Sequence, residues 1–334
     1  MISEGGHDLP SRTAVIVGIS GQDGGYLARK LLMHGYRVIG TSRSVEGGAF
    51  LSLDYFGLRN SVELCALDPC DPAAVHALIA RFQPDEIYNL SGQSSVGVSF
   101  AEPASTFNSI VTSTIVMLEE LRLNFPHVRF YNAGSSEMFG GVVGEPFTET
   151  SRFSPRSPYG AAKSSAYWVV STYRESFGLF AVTGILFNHE SPFRGPNFVT
   201  RKVVETAYAI SRNQAGHLTL GDLSIWRDWG WAEDYVDAMF RMVQHDQPGD
   251  YVIATGEAMQ LRDFVAYVFA YFDLDWKAYV QHSSALARPN ELPYSCGDAS
   301  KAREDLGWEP VYRGKSLIDK LCAEYTAILS LGDK

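Results

Sequence analysis

The sequence predicts an α/β protein built on a doubly wound parallel sheet, with a smaller mixed α/β region. In the first half of the chain, short apolar, β-branched runs alternate with segments of helical periodicity. A glycine-rich turn follows the first of these runs, and small polar residues follow several others. The chain has 334 residues, 46% of them hydrophobic, which is enough for one large core.

The first half alternates strands with helices, as expected for a Rossmann-like parallel sheet. Gly35 is placed to end the first helix, while Asp71 and Pro72 suit the cap and first position of the second. Strands are predicted at residues 13–17, 37–41, 62–67, 86–90 and 128–132, and helices at 26–34, 72–82 and 103–122.

The second half has mixed periodicity. Tyr235, Ala238, Met239 and Met242 recur at helical spacing, which is typical of core packing. Helices are predicted at 203–212, 232–247, 261–272 and 303–306, with a short strand at 218–221.

The turn after the first strand has glycines at 18, 21 and 24, in the spacing GxxGxxG. Gln22 and Asp23 precede its last glycine. Gly18, Gly21 and Gly24 would let the backbone approach a pyrophosphate, and the next helix offers free N–H groups at its N-terminus. The turn predicts a dinucleotide site; an ordinary glycine-rich turn is the alternative.

The end of the second strand favours NADP over NAD. NAD-binding proteins usually carry a carboxylate here for the ribose 2′-hydroxyl. This chain has Arg43 between two serines, which suits a 2′-phosphate. A solvated loop charge is the alternative for Arg43. Asp68, after the third strand, is expected to reach the adenine amine.

Tyr159 and Lys163 lie four residues apart, so on a helix they share one face. The ammonium is expected to lower the pKa of the phenol. Tyr159 would then take a proton from a sugar hydroxyl while hydride leaves the same carbon for nicotinamide. Lys163 is also placed to hold the nicotinamide ribose.

A carboxylate, Glu137, follows Ser135 and Ser136 directly after the strand at 128–132. Simple oxidation of an alcohol needs no such acid, whereas loss of water from a 4-keto sugar does. Glu137 would remove the C5 proton and protonate the departing C6 hydroxyl. Return of hydride to C6 completes a redox-neutral 4,6-dehydration. A solvated or helix-capping loop acid is the alternative.

Longer motifs extend from Thr13 to about Tyr325: GISGQDG at 18–24, QSSVGVSF at 93–100, SEMFG at 136–140, PRSPYG at 155–160, LFNHESP at 186–192, FVTRK at 198–202, RDWG at 227–230 and DYVIATG at 250–256. Together they resemble the GDP-mannose 4,6-dehydratase family of the extended short-chain dehydrogenase/reductase superfamily. The block at 187–202 is more specific than the superfamily motifs.

The resemblance implies an NADP-dependent GDP-sugar 4,6-dehydratase and assigns roles by position. Ser135 stands in the family's catalytic threonine position, with Glu137 as acid/base, Tyr159 as general base and Lys163 as its partner. Further cofactor contacts fall at Leu90 and at His189, the latter in a structural or pocket-orienting role. Substrate contacts fall at Ser94, Ser136, Asn188, Lys202, Arg227, Arg288 and Glu291. Arginine and lysine suit a diphosphate; a structural ion pair is the alternative for Arg227 and Arg288.

Several positions depart from the family. Ser95 replaces a histidine, Phe193 replaces the first of two arginines, and the loop at 45–50 lacks residues that reach a neighbouring subunit's cofactor. We therefore expect a homodimer, with a tetramer as the alternative.

Alternative functions remain open. The protein could dehydrate another nucleotide hexose or heptose, or it could be a 4-epimerase, a decarboxylase, a 4-keto reductase or a non-catalytic dinucleotide sensor.

Charge and composition indicate which classes of binding partner to expect. The net charge of -10 disfavours nucleic acid and anionic membranes, and no apolar run approaches the roughly 20 residues of a membrane span. Cysteine spacing predicts no metal site and a cytoplasmic protein. We expect a disordered tail at 1–11, a mainly NADP-binding domain at 12–182 and a mainly sugar-nucleotide-binding region at 183–334, some of whose elements return to the first domain.

Overall fold

A computed structural model describes residues 12–141, 144, 146–283, 286 and 290–332. The predicted tail at 1–11 lies outside the described residues. The strands are β1 Thr13–Val17, β2 Arg37–Ser42, β3 Glu63–Ala66, β4 Glu86–Asn89, β5 Arg129–Ala133, β6 Ala181–Leu186, β7 Asn188–Glu190, β8 Leu218–Leu220, β9 Trp226–Trp231, β10 Asp250–Ile253, β11 Ala258–Gln260, β12 Val280–His282 and β13 Tyr294–Ser295.

Helices cover the strands and connect them. They are α1 Gln22–Met33, α2 Leu51–Tyr55, α3 Pro72–Phe82, α4 Val96–Ala101, α5 Pro103–Phe107, α6 Ser113–Asn124, α7 Pro158–Phe177, α8 Val199–Ser211, α9 Ala232–Gln244, α10 Leu261–Tyr271, α11 Trp276–Tyr279, α12 Ser300–Leu306 and α13 Gly314–Gly332. None of the helices within the described ranges is long and apolar enough to cross a lipid bilayer.

In the described part of the chain, seven strands form the main sheet in the order β10-β6-β5-β4-β1-β2-β3, all paired in parallel. Every residue of β1 is buried. Ala14 and Ile16 pack in one hydrophobic cluster, whereas Val15 and Val17 pack in another. Apolar packing on both faces confirms the predicted doubly wound sheet.

Elements from the second half join this sheet. β10 pairs with β6 at its edge, and α9 packs against α1. A smaller sheet contains β11, β9 and β13, with β7 paired to β9. The chain passes directly from β6 into β7, which places the smaller sheet beside the carboxyl end of the main one.

Local sequence sets the helix ends near this edge. Gly21 begins α1 without a side-chain cap, and Gly35 follows its end with φ +77°. Ser157 caps α7 by accepting a hydrogen bond from the Gly160 N–H at 3.0 Å, and Pro158 occupies its first turn. α7 therefore begins two residues before Gly160, with Tyr159 in its first turn.

The continuous helix predicted at 103–122 is interrupted in the structure. A π-helical turn at Asn108–Thr112 separates α5 from α6. The Ser113 hydroxyl donates to the Ser109 carbonyl at 2.7 Å, and the Thr114 hydroxyl donates to the Ile110 carbonyl at 2.7 Å. Such bonds give the backbone carbonyls partners other than the helical N–H groups and favour local irregularity.

Candidate active site

A cavity of about 410 Å³ opens at the carboxyl ends of β4, β5 and β6. The four predicted catalytic residues all line it, as do Asp23 and six more expected contacts. These are Leu90, Ser94, Ser136, Asn188, His189 and Lys202. Arg227 and Glu291 line its other end. A cavity beyond the strand ends of a parallel sheet is where such folds bind ligands.

Tyr159 lies in the first turn of α7 and is buried, with 8% of its surface exposed. Burial raises the pKa of its phenol to about 12. A hydrogen bond with Ser135 and the charge of Arg194 lower that pKa, whereas Glu137 and Asp23 raise it. The phenol is therefore held protonated near neutral pH unless this balance changes.

Lys163 is one helical turn further along α7. Its ammonium donates to the Ala133 carbonyl at 2.6 Å and lies 5.9 Å from the centre of the Tyr159 ring. Burial lowers the pKa of Lys163 to about 8. The expectation that this ammonium brings the phenol pKa below its ordinary value is wrong, because burial of Tyr159 outweighs the lowering influences.

Glu137 follows β5 in a short 3₁₀ turn, Ser136–Met138. The Ser135 hydroxyl accepts a hydrogen bond from the Glu137 N–H at 3.3 Å and so begins this turn. The turn packs directly on α7, since a Cβ at Gly160 would lie 2.6 Å from the Glu137 carbonyl oxygen. This close packing holds the half-buried carboxylate on the cavity wall beside Tyr159.

The glycine turn packs too closely for side chains at two positions. Gly18 has φ +89°, and a Cβ there would lie 3.0 Å from the Ser91 backbone. A Cβ at Gly24 would lie 2.2 Å from the Ile19 carbonyl oxygen. The uncapped N-terminus of α1 and this close-packed turn fit a dinucleotide pyrophosphate. Of the turn, Asp23 lines the cavity, while Gly18, Gly21, Gln22 and Gly24 are not among its lining residues.

Arg43 and Asp68 are exposed and lie beyond the ends of β2 and β3. They share the sheet edge that carries the glycine turn, but neither lines the cavity. This is the side of the sheet on which the adenosine half of a dinucleotide lies in doubly wound folds.

At the other end of the cavity, the Arg227 guanidinium lies 2.6 Å from the Glu291 carboxylate. It also donates to the Trp226 and Leu292 carbonyls at 2.8 Å. Arg227 thus forms the structural ion pair that was its alternative role, although both partners line the cavity. The Lys202 ammonium donates to the Thr219 carbonyl at 2.7 Å. Arg288 lies outside the described residues.

Arg194 lines the same cavity, and none of the sequence motifs predicted a role for it. Its guanidinium carbon lies 3.8 Å from the centre of the Phe198 ring, and its Nε lies 3.5 Å from the Glu190 carboxylate. Its charge also lowers the pKa of Tyr159. Its position just after the specific motif at 186–192 is the sequence feature that points to it.

Solved structures of low sequence identity share this fold. The dTDP-glucose 4,6-dehydratase of Streptomyces venezuelae, solved with NAD, is 19% identical, has a TM-score of 0.85, and the match covers 96% of this chain and 98% of that one. The UDP-glucose 4-epimerase of Thermotoga maritima is 22% identical, with a TM-score of 0.84 and coverage of 95% and 99%. This chain therefore shares its fold with these nucleotide-sugar dehydratases and epimerases.

Sequence relatives define the family within that class. The family model described as GDP-mannose 4,6 dehydratase matches residues 15–321. A GDP-mannose 4,6 dehydratase of Arabidopsis thaliana is 42% identical over 325 residues, covering 94% of this chain and 87% of that protein. The human enzyme is 39% identical over 326 residues, covering 90% and 88%. The chain belongs to the GDP-mannose 4,6-dehydratase family.

Proposed function

We propose that this protein is a GDP-sugar 4,6-dehydratase that converts GDP-mannose to GDP-4-keto-6-deoxymannose. The observation that carries the proposal is the placement of Glu137 beside Tyr159 in one cavity. The tyrosine alone suits oxidation of a hydroxyl, whereas the added carboxylate suits elimination of water. Relatives at 39–42% identity carry the name of this activity.

In this mechanism Tyr159 removes the proton of the sugar C4 hydroxyl. A bound nicotinamide supplies the hydride acceptor at C4 and later the hydride donor at C6. Ser135 donates a hydrogen bond to the phenolate, and Arg194 adds positive charge, so both favour the ionised phenol. Lys163 holds the Ala133 carbonyl and lies beside the ring, where it is placed to bind a ribose hydroxyl.

Glu137 then acts on the 4-keto sugar. The C4 ketone acidifies the C5 proton, which the carboxylate removes. The same proton passes to the C6 hydroxyl as its C–O bond breaks, so that water leaves and a C5–C6 double bond forms. Hydride at C6 and a proton at C5 complete the product; the C5 proton comes from solvent and balances the proton that Tyr159 took from the C4 hydroxyl. No net oxidant is consumed, because the two electrons taken from C4 are those delivered to C6.

We also propose NADP as the preferred dinucleotide. Arg43 at the end of β2 supports this choice, because no carboxylate occupies residues 41–44 and a guanidinium binds a 2′-phosphate in two-pronged geometry. Arg43→Ala should weaken NADP binding and leave NAD binding little changed. Equal losses for both dinucleotides, measured by calorimetry, would contradict the proposal.

We propose a homodimer as the assembly. Large apolar side chains are exposed on two neighbouring helices, Leu123 on α6 and Trp168 and Phe177 on α7. Exposed apolar surface of this kind is typical of an interface. Light scattering should give the mass of two chains; the mass of one or four chains would contradict this.

The activity is tested by incubating the purified protein and NADP with GDP-mannose, without added reductant. The expected product has lost one water and carries a 4-keto group, detected by mass spectrometry and alkaline absorbance. GDP-hexoses of other stereochemistry, and UDP-, CDP- and dTDP-hexoses, serve as comparisons. No water loss from any GDP-hexose would reject the proposal.

A further inference from the structure

A carboxylate at the glycine turn contacts a histidine of β7, and both side chains line the cavity. Asp23 lies in the first turn of α1, and His189 lies in β7. The His189 Nε2 is 3.0 Å from the Asp23 carboxylate, and its Nδ1 is 2.8 Å from the Phe187 carbonyl oxygen. The ring stacks on Tyr235 of α9, with centres 4.5 Å apart and planes at 21°.

The two hydrogen-bond partners of the His189 ring indicate which of its nitrogens carry hydrogen. A carbonyl oxygen only accepts, so Nδ1 carries a hydrogen and donates to Phe187. An ionised carboxylate also only accepts, so Nε2 donates to Asp23. Burial is the largest influence on the Asp23 pKa and raises it, but the charge and hydrogen bond of His189 bring it below its ordinary value. Each ring nitrogen of His189 therefore has an acceptor within hydrogen-bond distance, so a proton on both nitrogens would be fully partnered.

We propose that Asp23 and His189 form a carboxylate–imidazolium pair that fixes the glycine turn against β7 and neutralises the Asp23 charge beside Tyr159. His189 is a positioning residue here, since it acts through Asp23. The part that concerns Tyr159 rests on the proposed function; the pair itself does not.

Hydrogen bonds between uncharged groups also connect α1 with β7 and with Ser191, which follows it. The Gln22 amide of α1 donates to the His189 carbonyl of β7 at 3.1 Å. The Ser191 hydroxyl donates to the Gln22 amide oxygen at 3.0 Å. These contacts help to hold the turn, and Ser191 does so without a charge. Ser191→Ala is therefore a matched control for removal of the charged pair.

Charged groups on several elements act on Tyr159. Asp23 from α1 and Glu137 from the turn after β5 raise the pKa of Tyr159, Arg194 lowers it, and Lys163 lies on the same helix. Near His189, the Glu190 carboxylate already has Arg194 at 3.5 Å and the Thr200 hydroxyl at 2.5 Å as partners. Removal of the imidazolium would leave Arg194 as the positive charge acting on Asp23, and the weaker compensation would favour the protonated phenol.

The charge state is measured directly in the full-length protein labelled with ¹⁵N-histidine, at pH 7.5, with and without NADP. His189→Gln identifies the His189 signals among the eight histidines. We expect protonated shifts for both ring nitrogens, and loss of one proton in Asp23→Asn. One unprotonated ring nitrogen in the wild type would overturn the pair. This measurement requires no substrate, so it decides the inference even if no GDP-sugar reacts.

The positioning role is measured by NADP calorimetry and by the pH profile of kcat/KM. We expect His189→Gln to weaken NADP binding by about tenfold and to move the limb that reports Tyr159 to higher pH. Addition of Asp23→Asn should return that limb toward its wild-type position, whereas Ser191→Ala should weaken binding without moving it. An unmoved limb in His189→Gln, or no return in the double variant, would overturn the role in neutralising Asp23.

Discussion

At the scale of single residues, burial decides the protonation of Tyr159 and Lys163. It raises the pKa of Tyr159 to about 12 and lowers that of Lys163 to about 8. Both shifts favour the neutral form, as desolvation requires. Because the base form of Tyr159 is the active one in the proposed mechanism, activity should rise with pH until this residue ionises.

The Ser135 hydroxyl lowers the pKa of Tyr159 through a hydrogen bond. Ser135→Ala should therefore move the tyrosine limb of kcat/KM to higher pH, because the phenolate loses a donor. Ser135→Thr keeps the hydroxyl and should leave the limb in place. The pH dependence of initial rates tests this, and a limb that shifts equally in both variants would contradict it.

Glu137→Gln keeps the shape of the side chain but cannot accept the C5 proton. We expect water loss to slow by a factor on the order of 10²–10⁴, and C5 deuterium uptake from D₂O to slow with it. Glu102→Gln, at an exposed carboxylate outside the cavity lining, is the control. Normal C5 exchange in Glu137→Gln, with NADP bound, would assign the proton transfer to another group.

At the scale of elements, the glycine turn combines two separable requirements. Gly24 must lack a side chain because the Ile19 carbonyl lies where its Cβ would be. Gly21 has φ -72°, and a Cβ there would meet only the Gly18 carbonyl oxygen, at 3.4 Å. One glycine therefore serves packing, whereas the other keeps the N-terminus of α1 open.

Gly24→Ala should lower the free energy of unfolding by about 2 kcal/mol through overpacking. Gly21→Ala should leave stability nearly unchanged but weaken NADP binding, because its methyl group would stand at the uncapped N-terminus of α1, where we expect the pyrophosphate. Urea unfolding and calorimetry distinguish the two. Equal stability of both variants would contradict the packing argument.

Sequence patterns predicted these elements well where the backbone is governed locally. β1 and α3 have the predicted bounds, because β-branched runs and an Asp-Pro start are local features. The π-helical turn at Asn108–Thr112 was not predicted, since helical periodicity continues through it. The contacts of Arg194 and the ion pair of Arg227 depend on how the folded chain brings side chains together, which no local pattern encodes.

At the scale of the whole molecule, α9 connects the two halves of the chain, because it packs against α1 of the first half. It is also tied to a later segment of the second half. Asp234, near the start of α9, accepts hydrogen bonds from the Val311 and Tyr312 N–H groups at 2.8 and 3.0 Å. Its own carbonyl accepts from the Trp308 indole at 2.8 Å. Asp234 therefore joins α9 to the segment that leads into α13.

Burial raises the pKa of Asp234 to about 6 from an ordinary value of 3.8. The folded state thus binds the proton more tightly, so this residue's stabilisation is full below pH 3.8 and is lost as pH rises through 6. Asp234→Asn should remove that part of the pH dependence, seen as a flatter unfolding free energy between about pH 4 and 6 in urea titrations. Asp263→Asn, at an exposed site on α10, is the control, and identical profiles for the two variants would contradict the assignment.

The central claim is that one cavity moves hydrogen from C4 to C6 of the same sugar while water leaves. Incubation with GDP-mannose deuterated at C4 tests it most directly. We predict a 4-keto-6-deoxy product that carries the deuterium at C6, with no net change in NADP. Water loss without deuterium at C6, or oxidation at C4 with stoichiometric consumption of NADP, would contradict it.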